Sequence, residues 1–479
     1  DIMDSWFHVI GNDIRQGFLY PLNEWIGEDS NRNGQIDDSE AKWPGWKKIP
    51  ALWRQVATSE GKVYGIPQIN KNYLGIVFRT DMVRGAGLDP ENPPQTWDEF
   101  IYWCQKLTKP NNVIPGAVFK RGQRGICLQP NGFLWLPWIQ SAGGNPIIQI
   151  KKSPKDGKEY EFALEATSFI TPSGEDLATS PSVWRANFAC SAGIAAAKFY
   201  HDLRWMKWIF DPETREPVTL SGDDISNGFM ISGSRKISFE KADIITGVAR
   251  GQTGQRGNGA YEMLARGEVA MMMGSLEGIT GTGGVSEIDP NYLSWFPLPA
   301  KSKTEGRRVL LVQRHYAVMV EGVGRRSKGE RDKIWEALET ITSQNVRDDH
   351  VRTMVLDGLA KFVNPQDLQR LDFGDYIKDL SPRIQNYYKE IHDGTIGIHT
   401  EPFMGFWQAT NDLLNRRVLS LVISEAGEGF DYSAALKQSE YDSNSGLMFN
   451  RTEEELDKYR PTARIIFVIV VVFIAIISF

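Results

Sequence analysis

Cysteine is scarce in this sequence, three in 479 residues, and the scarcity excludes some chemistry. Cys104, Cys127 and Cys190 are an odd number at wide spacing, without a C-x-x-C pair, so at least one is unpaired and no thiolate metal grouping is present. Cys104 lies in "DEFIYWCQKL", at helical spacing among apolar residues, which predicts a buried and inert thiol. Histidine is little commoner: six, at 8, 201, 315, 350, 392 and 399, dispersed along the chain. P-loop, HExxH, GxSxG and strand–GxGxxG–helix patterns are all missing, which removes the commonest nucleotide-binding, metalloprotease and serine-hydrolase readings. A positive excess is missing too. With 54 basic against 60 acidic residues, a net charge of -6, and no basic stripe or RNA-binding aromatic motif, no nucleic-acid partner is expected. A glycosidase-type carboxylate pair is a matter of distance in space, and the sequence singles out no pair.

What is present is an ordinary globular composition, 41% hydrophobic and 24% charged, in a chain long enough for two or three domains and a large core. Short buried strands are predicted at "VYGIP", "GIVFRT", "EVAMMM" and "HYAVMV". Helical spacing marks "TWDEFIYWCQKLT", "SAGIAAAKFYHDLRWM", "GAYEMLARG" and "RDKIWEALETITSQ". Thr96 with Glu99 forms a capping-box pattern just after Pro93 and Pro94. The alternation of strands and helices points to open α/β sheets.

One stretch is specific. "DSNRNGQIDDSE" places Asp29, Asn31, Asn33, the Gln35 carbonyl, Asp37 and Glu40 at positions 1, 3, 5, 7, 9 and 12 of a calcium loop, with Gly34 at the turn and Ile36 facing inward. An acidic, Asn-rich surface turn is the plainer alternative. It stands alone in the chain, and Pro44 and Pro50 follow closely, so the expected role is a structural Ca2+ clip and not a paired sensor.

The ends carry two expectations. Residue 1 is Asp, with neither an initiator Met nor a signal peptide, so the natural chain is expected to begin earlier. The apolar run Ile465–Phe479 stops short of the about 20 residues that a spanning helix needs, and is read as the start of a transmembrane helix after a linker at 449–464.

Aromatic residues are plentiful: 15 Trp, 15 Tyr and 23 Phe. Flat rings with a polar edge make platforms for sugar faces. A Trp at helical spacing, such as Trp103, Trp205 or Trp335, reads as core, whereas Trp407 and the 133–138 cluster sit near Pro and Gly.

The stretch "EGKVYGIPQINKNYLGIVFRTDMVRGAGLDPENPPQTWDEFIYWCQKLT" resembles extracellular solute-binding proteins of the carbohydrate class, maltose-binding-protein-like components of ABC importers. Gly61, Lys62, Tyr64, Gly65, Pro67, Asp81, Gly87, Pro94, Thr96, Trp97, Asp98 and Phe100 carry the likeness, and "AYEMLARGEVAMMMGS", "WFPLPA" and "FMGFW" follow in the same order. The resemblance implies a two-lobed α/β fold of the type II periplasmic-binding-protein kind, with a hinge and an interlobe cleft. It implies lobe one from 1–108 and 297–355 with the loop at 29–40 inserted, and lobe two from 109–296 and 356–448. A first strand and helix of lobe one are expected to be absent. Ligand residues carried over are Trp6, Asn12 and Asp13, then Asn72 and Tyr73, then Phe133, Trp135, Trp138, Phe406 and Trp407. Arg314-His315 stands where the family often has Gly-Gly, and Ser275 and Leu276 where a Trp is frequent, so Arg314 and an acidic or modified sugar enter as a further expectation.

No catalysis is implied. The expected function is the substrate-binding component of an ABC-type sugar importer, extracytoplasmic and membrane-anchored through 465–479, which captures an oligosaccharide or related solute by hinge closure. Expected partners are ABC permease subunits or a fused permease domain. The positive flank "KYRPTAR" sits awkwardly with an outside location. The input domain of a membrane sensor and a carbohydrate-active enzyme remain as rivals.

Overall fold

The computed structural model describes residues 1–68, 72–109, 122–180, 182–210, 217–218, 229–232, 235–238, 243–246, 248–251, 259–275, 288–312, 314–423, 429–447 and 461. The run 465–479 and, apart from residue 461, the linker 449–464 lie outside these residues, as does Leu276. Among the described residues no helix is long and apolar enough to cross a membrane.

Two sheets organise the chain. The larger has seven strands and is built around Asn72–Arg79, whose Ile76, Val77 and Phe78 are all fully buried. Consecutive buried residues mean that both faces are covered, as in sheets flanked by helices. One edge of this strand pairs antiparallel with Val269–Gly274, the "EVAMMM" segment. The other edge is shared end to end by Leu293–Phe296 and Arg308–Val312. Glycine is needed at Gly75, where a Cβ would stand 2.4 Å from the Phe296 carbonyl oxygen. Arg124–Leu128, Ala249–Gly251 and Gly397–Thr400 complete the sheet through parallel pairings.

Helices cover it. Trp97–Leu107 starts at the predicted capping box, with the Glu99 N–H donating to Thr96 Oγ1 and the Thr96 N–H to Glu99 Oε2. Its apolar face buries Trp97, Phe100, Trp103, Cys104 and Leu107, and a fully buried Phe such as Phe100 contributes roughly 1.5–3 kcal/mol. Gly125 lets the helix approach, since a Cβ there would lie 2.6 Å from Cys104 Cα. Burial raises the Cys104 thiol well above its ordinary value, which keeps it protonated and unreactive. None of the three cysteines is in a disulfide.

The smaller sheet orders Ile2–Trp6, Arg314–Val318 and Gly65–Pro67, all antiparallel. Against it lie the helices Phe7–Arg15 and Ala51–Val56, and the helix Lys328–Ile341 joins the same lobe through Trp335 stacked on Trp25. The chain leaves this sheet for the large one between Pro67 and Asn72 and returns between Val312 and Arg314. It leaves again between Ile341 and Pro382, because the helix Pro382–His392 packs under Trp295 of the large sheet, with Tyr388 stacked at 5.9 Å.

These crossings correct the boundaries expected from the sequence. Residues 72–108 belong with lobe two, because their strand is the centre of the large sheet and their helix packs on Arg124–Leu128. Arg308–Val312 moves to lobe two for the same reason. A third sheet, Glu159–Ala163, Ile147–Lys152 and Ser182–Ala186, stands beside lobe two. It is tied to the large sheet by His399, whose Nδ1 lies 2.9 Å from Glu165 Oε1. Burial works to raise the Glu165 carboxyl, but the adjacent imidazole and backbone N–H groups outweigh it and hold the carboxyl below its ordinary value.

Candidate ligand-binding cleft

Where the two lobes face one another there is a cavity of about 720 Å³, a size that suits a small solute. A smaller space of about 330 Å³ adjoins it and shares Gln35, Asp37, Gln55, Thr167 and Phe169.

The lobe-two wall comes from the third sheet. Side chains alternate along a strand, so Gln149 and Lys151 share a face, and their cross-strand partners Trp184 and Ser182 join them on the cavity. Trp184 meets Phe403 edge-on at 5.6 Å, which gives this wall an aromatic corner. The Lys151 ammonium lies 4.3 Å from the Phe169 ring centre and donates to the Ala178 and Ser180 carbonyls at 3.2 and 2.8 Å. Burial pulls its pKa below the ordinary value, with Asp176 opposing.

The lobe-one wall is built from Arg32, Asn33, Gly34, Gln35 and Asp37 of the acidic loop, together with Gln55 and the turn Thr58–Glu60. Gln55 and Gln149 each bury an amide oxygen that has no hydrogen-bond partner among the described residues. Such a group costs about 1–3 kcal/mol if left unpaired.

The lobes already touch. A Cβ on Gly11 of the first helix would stand 2.0 Å from the Phe403 carbonyl oxygen, and the Arg15 guanidinium lies 4.8 Å over the Phe406 ring.

Of the eleven ligand residues expected from the sequence, the ten whose side chains are described do not line the cavity. Trp135, Trp138 and Trp407 are 0%, 1% and 0% exposed and belong to the core, where Trp138 packs on Phe100 and Phe199. Phe133 is half-buried on the same helix as the first two. Tyr73 is buried in the central strand, and burial pushes its hydroxyl up to about 12. Asn72 opens that strand opposite Val312, and its side chain lies outside the described residues. Asp13 is buried, which raises its carboxyl, and accepts from the Ser5 hydroxyl at 3.1 Å. Asn12 accepts from Arg15 at 2.9 Å and Phe406 lies under the same guanidinium, so both gather at the lobe contact and not at the cavity. Trp6 and Arg314 do come together, the guanidinium 4.0 Å from the ring centre, but Arg314 also pairs with Asp4 at 2.9 Å and both lie off the cavity. The expected cation in the cleft is therefore not Arg314. The sequence reading missed Gln55, Gln149, Lys151, Phe169, Trp184 and Phe403. The polar residues alternating in "IIQIKK" were the available signal.

The acidic loop closes on itself. Asp29 accepts from the Asn33 and Gly34 N–H groups at 3.0 and 2.9 Å, and Glu40 from those of Ser30, Asn31 and Asp37 at 2.8, 3.0 and 3.0 Å. These N–H bonds, Asp37's foremost, hold the Glu40 carboxyl below its ordinary value. The Asn31 and Asn33 amides both donate to Asp37 Oδ2, at 2.7 and 3.0 Å. Gly34 has φ +84°, as the turn requires, and Ile36 is buried with its carbonyl accepting from Trp46 Nε1. Among the described residues no three His, Cys, Asp or Glu side chains gather tightly enough to hold a metal by themselves. The donor set is of the calcium kind, since amide and carbonyl oxygens would share the ion with the three carboxylates.

No curated protein sequence matches the chain. Residues 2–170 match the family model of bacterial extracellular solute-binding proteins. Among solved structures, an ABC transporter solute-binding protein from Thermotoga lettingae, bound with alpha-D-tagatose, is similar at 16% identity and a TM-score of 0.56, over 93% of this chain and 84% of that one. An ABC substrate-binding protein from Listeria monocytogenes in complex with cycloalternan gives 12%, 0.54, and the same 93% and 84%. UgpB from Mycobacterium tuberculosis in complex with glycerophosphocholine gives 13%, 0.51, 93% and 83%. The fold is that of the type II periplasmic binding proteins, two α/β lobes about a hinge.

Proposed function

We propose that this chain is the solute-binding component of an ABC-type sugar importer, working outside the cytoplasm and delivering its solute to membrane permease subunits. The observation that carries this reading is the cavity between the lobes, with an aromatic corner at Trp184 and Phe403 and amide and hydroxyl groups around it. That is the mixture a sugar needs, apolar CH faces against rings and hydroxyls against polar side chains. The family match over 2–170 and the fold support it. In its mechanism a solute bridges the two walls, and closure is favoured by the solute's higher affinity for the closed state. No residue is required to act as acid, base or nucleophile.

Two finer parts belong to the same reading. The loop 29–40 holds Ca2+ through Asp29, Asn31, Asn33, the Gln35 carbonyl, Asp37 and Glu40. The segment 465–479 attaches the module to the membrane, as an anchor or as the start of a permease.

The test is an intrinsic tryptophan fluorescence titration with neutral oligosaccharides, uronic acids and polyols. A saturable change at micromolar concentration without release of reducing ends supports a closing receptor. Product release would make it an enzyme, and a folded protein that answers none of the panel would remove the sugar clause.

A further inference from the structure

Asn33, Gln35 and Asp37 occupy two places at once. They supply positions 5, 7 and 9 of the acidic loop, and they line the cavity between the lobes. The same wall is joined to the loop a second time, through the turn at Glu60 and Gly61. The Gly61 N–H donates to the Gly34 carbonyl at 3.2 Å, a Cβ on Gly61 would stand 2.5 Å from Asp29 Oδ2, and Glu60 lines the cavity. The far side of the loop is held fast, with Trp46 Nε1 on the Ile36 carbonyl at 2.8 Å and Arg54 on Asp38 at 2.6 Å.

We propose that Ca2+ in the loop 29–40 governs the affinity of the cleft for its solute, so that ion and solute bind cooperatively. The proposal rests on the solute-binding reading and on the loop taking the ion. A calcium ion needs oxygens facing it, whereas the Asn31 and Asn33 amides now turn their nitrogens towards Asp37. Binding turns both amides over, draws the Asp37 carboxylate to the ion and aims the Gln35 carbonyl inward, which resets three residues of the wall. The ion also offsets the charge of Asp29, Asp37 and Glu40 beside a cavity that already contains Glu60. A wall ordered before the solute arrives leaves less ordering to be done on binding, which is positive cooperativity without a large change of shape. Couplings of this kind are commonly about 5- to 150-fold, and by linkage the solute must tighten calcium by the same factor.

The experiment uses calorimetry on the full chain. Calcium alone is titrated first, then neutral oligosaccharides (maltotriose and cellotriose) and a uronic-acid trimer, each in calcium and in EGTA. The expected result is calcium binding, a sugar affinity at least about 5-fold weaker in EGTA, and calcium bound tighter by that same factor when the sugar is saturating. Glu40→Gln, a residue off the cavity, should give the weak affinity in either buffer. Calcium that raises the melting temperature while sugar affinity stays constant would overturn the proposal and leave the loop a clip. No calcium binding would overturn it as well, with the receptor reading intact. A folded protein that binds calcium but none of the sugars loses the sugar assignment of the cleft and takes the cooperativity with sugar down with it.

Discussion

The two walls of the cleft are made in different ways. On the lobe-two side a regular sheet presents every second residue, and Gln149, Lys151, Ser182 and Trp184 face the cavity because strand geometry puts them there. On the lobe-one side the wall is a loop whose shape comes from carboxylates and amides bonded to its own backbone, and whose flanking tryptophans are pinned to the helix Lys328–Ile341, some three hundred residues away in sequence. Trp25 stacks on Trp335 at 5.4 Å, and Trp25 and Trp43 donate through Nε1 to Asp332 and Glu339 at 2.9 and 2.8 Å. The difference teaches that the first wall is set by backbone pairing and the second by side chains that an ion or a pH change can reach.

The largest break in that comparison should come from Trp335→Ala, which removes the anchor of the lobe-one wall. Trp335 is 8% exposed, and losing a buried Trp costs about 3–5 kcal/mol. Chemical denaturation should show that loss, and hydrogen exchange should place the loosening at 25–60 and not at 147–186. Acid should also separate the walls. His315 of the small sheet is fully buried against Phe7, with burial pulling its pKa from 6.5 to about 3. The folded state holds it neutral while the unfolded chain takes up a proton below its ordinary value. The stability it permits is therefore complete above about pH 6.5 and is lost as pH falls towards 3, by up to about 1.4 kcal/mol per unit. Denaturation at stepped pH should show that slope, and His315→Leu should flatten it.

Gly11→Ala acts where the walls approach. An added Cβ meets the Phe403 carbonyl at 2.0 Å, so the variant should fold normally yet resist closure, and its solute affinity should fall at least about 10-fold, some 1.4 kcal/mol. Unchanged affinity would mean that closure does not bring these atoms together in the bound state. The smallest expected effect is at Glu40→Ala, which should abolish the rise in melting temperature that calcium gives to the unaltered chain and leave the calcium-free melting point within a few degrees.

Much of this fold was legible in the sequence. The capping box at Thr96, the strands at 75–79 and 269–273, and the motif order that implied two lobes are all present in the structure. The lobe boundary was not, because an apolar run shows that Asn72–Arg79 is buried without showing which sheet buries it. Trp135 and Trp138 misled because their neighbours include Pro and Gly. The helix Gly132–Ser141 buries nine of its ten residues, and a helix apolar all round belongs inside. The acidic loop was legible as a loop, but its place in the cleft wall depends on contacts with Trp46, Arg54 and Gly61 that no local pattern encodes.

The most direct test of the central claim, that a solute binds between these two walls, is hydrogen exchange with and without a saturating sugar found by the fluorescence titration. The account predicts slowed exchange at 30–37, 55–60, 147–151 and 178–184, with little change around Trp135, Trp138 and Trp407. Protection centred on those three tryptophans, with the cavity walls unaffected, would contradict it.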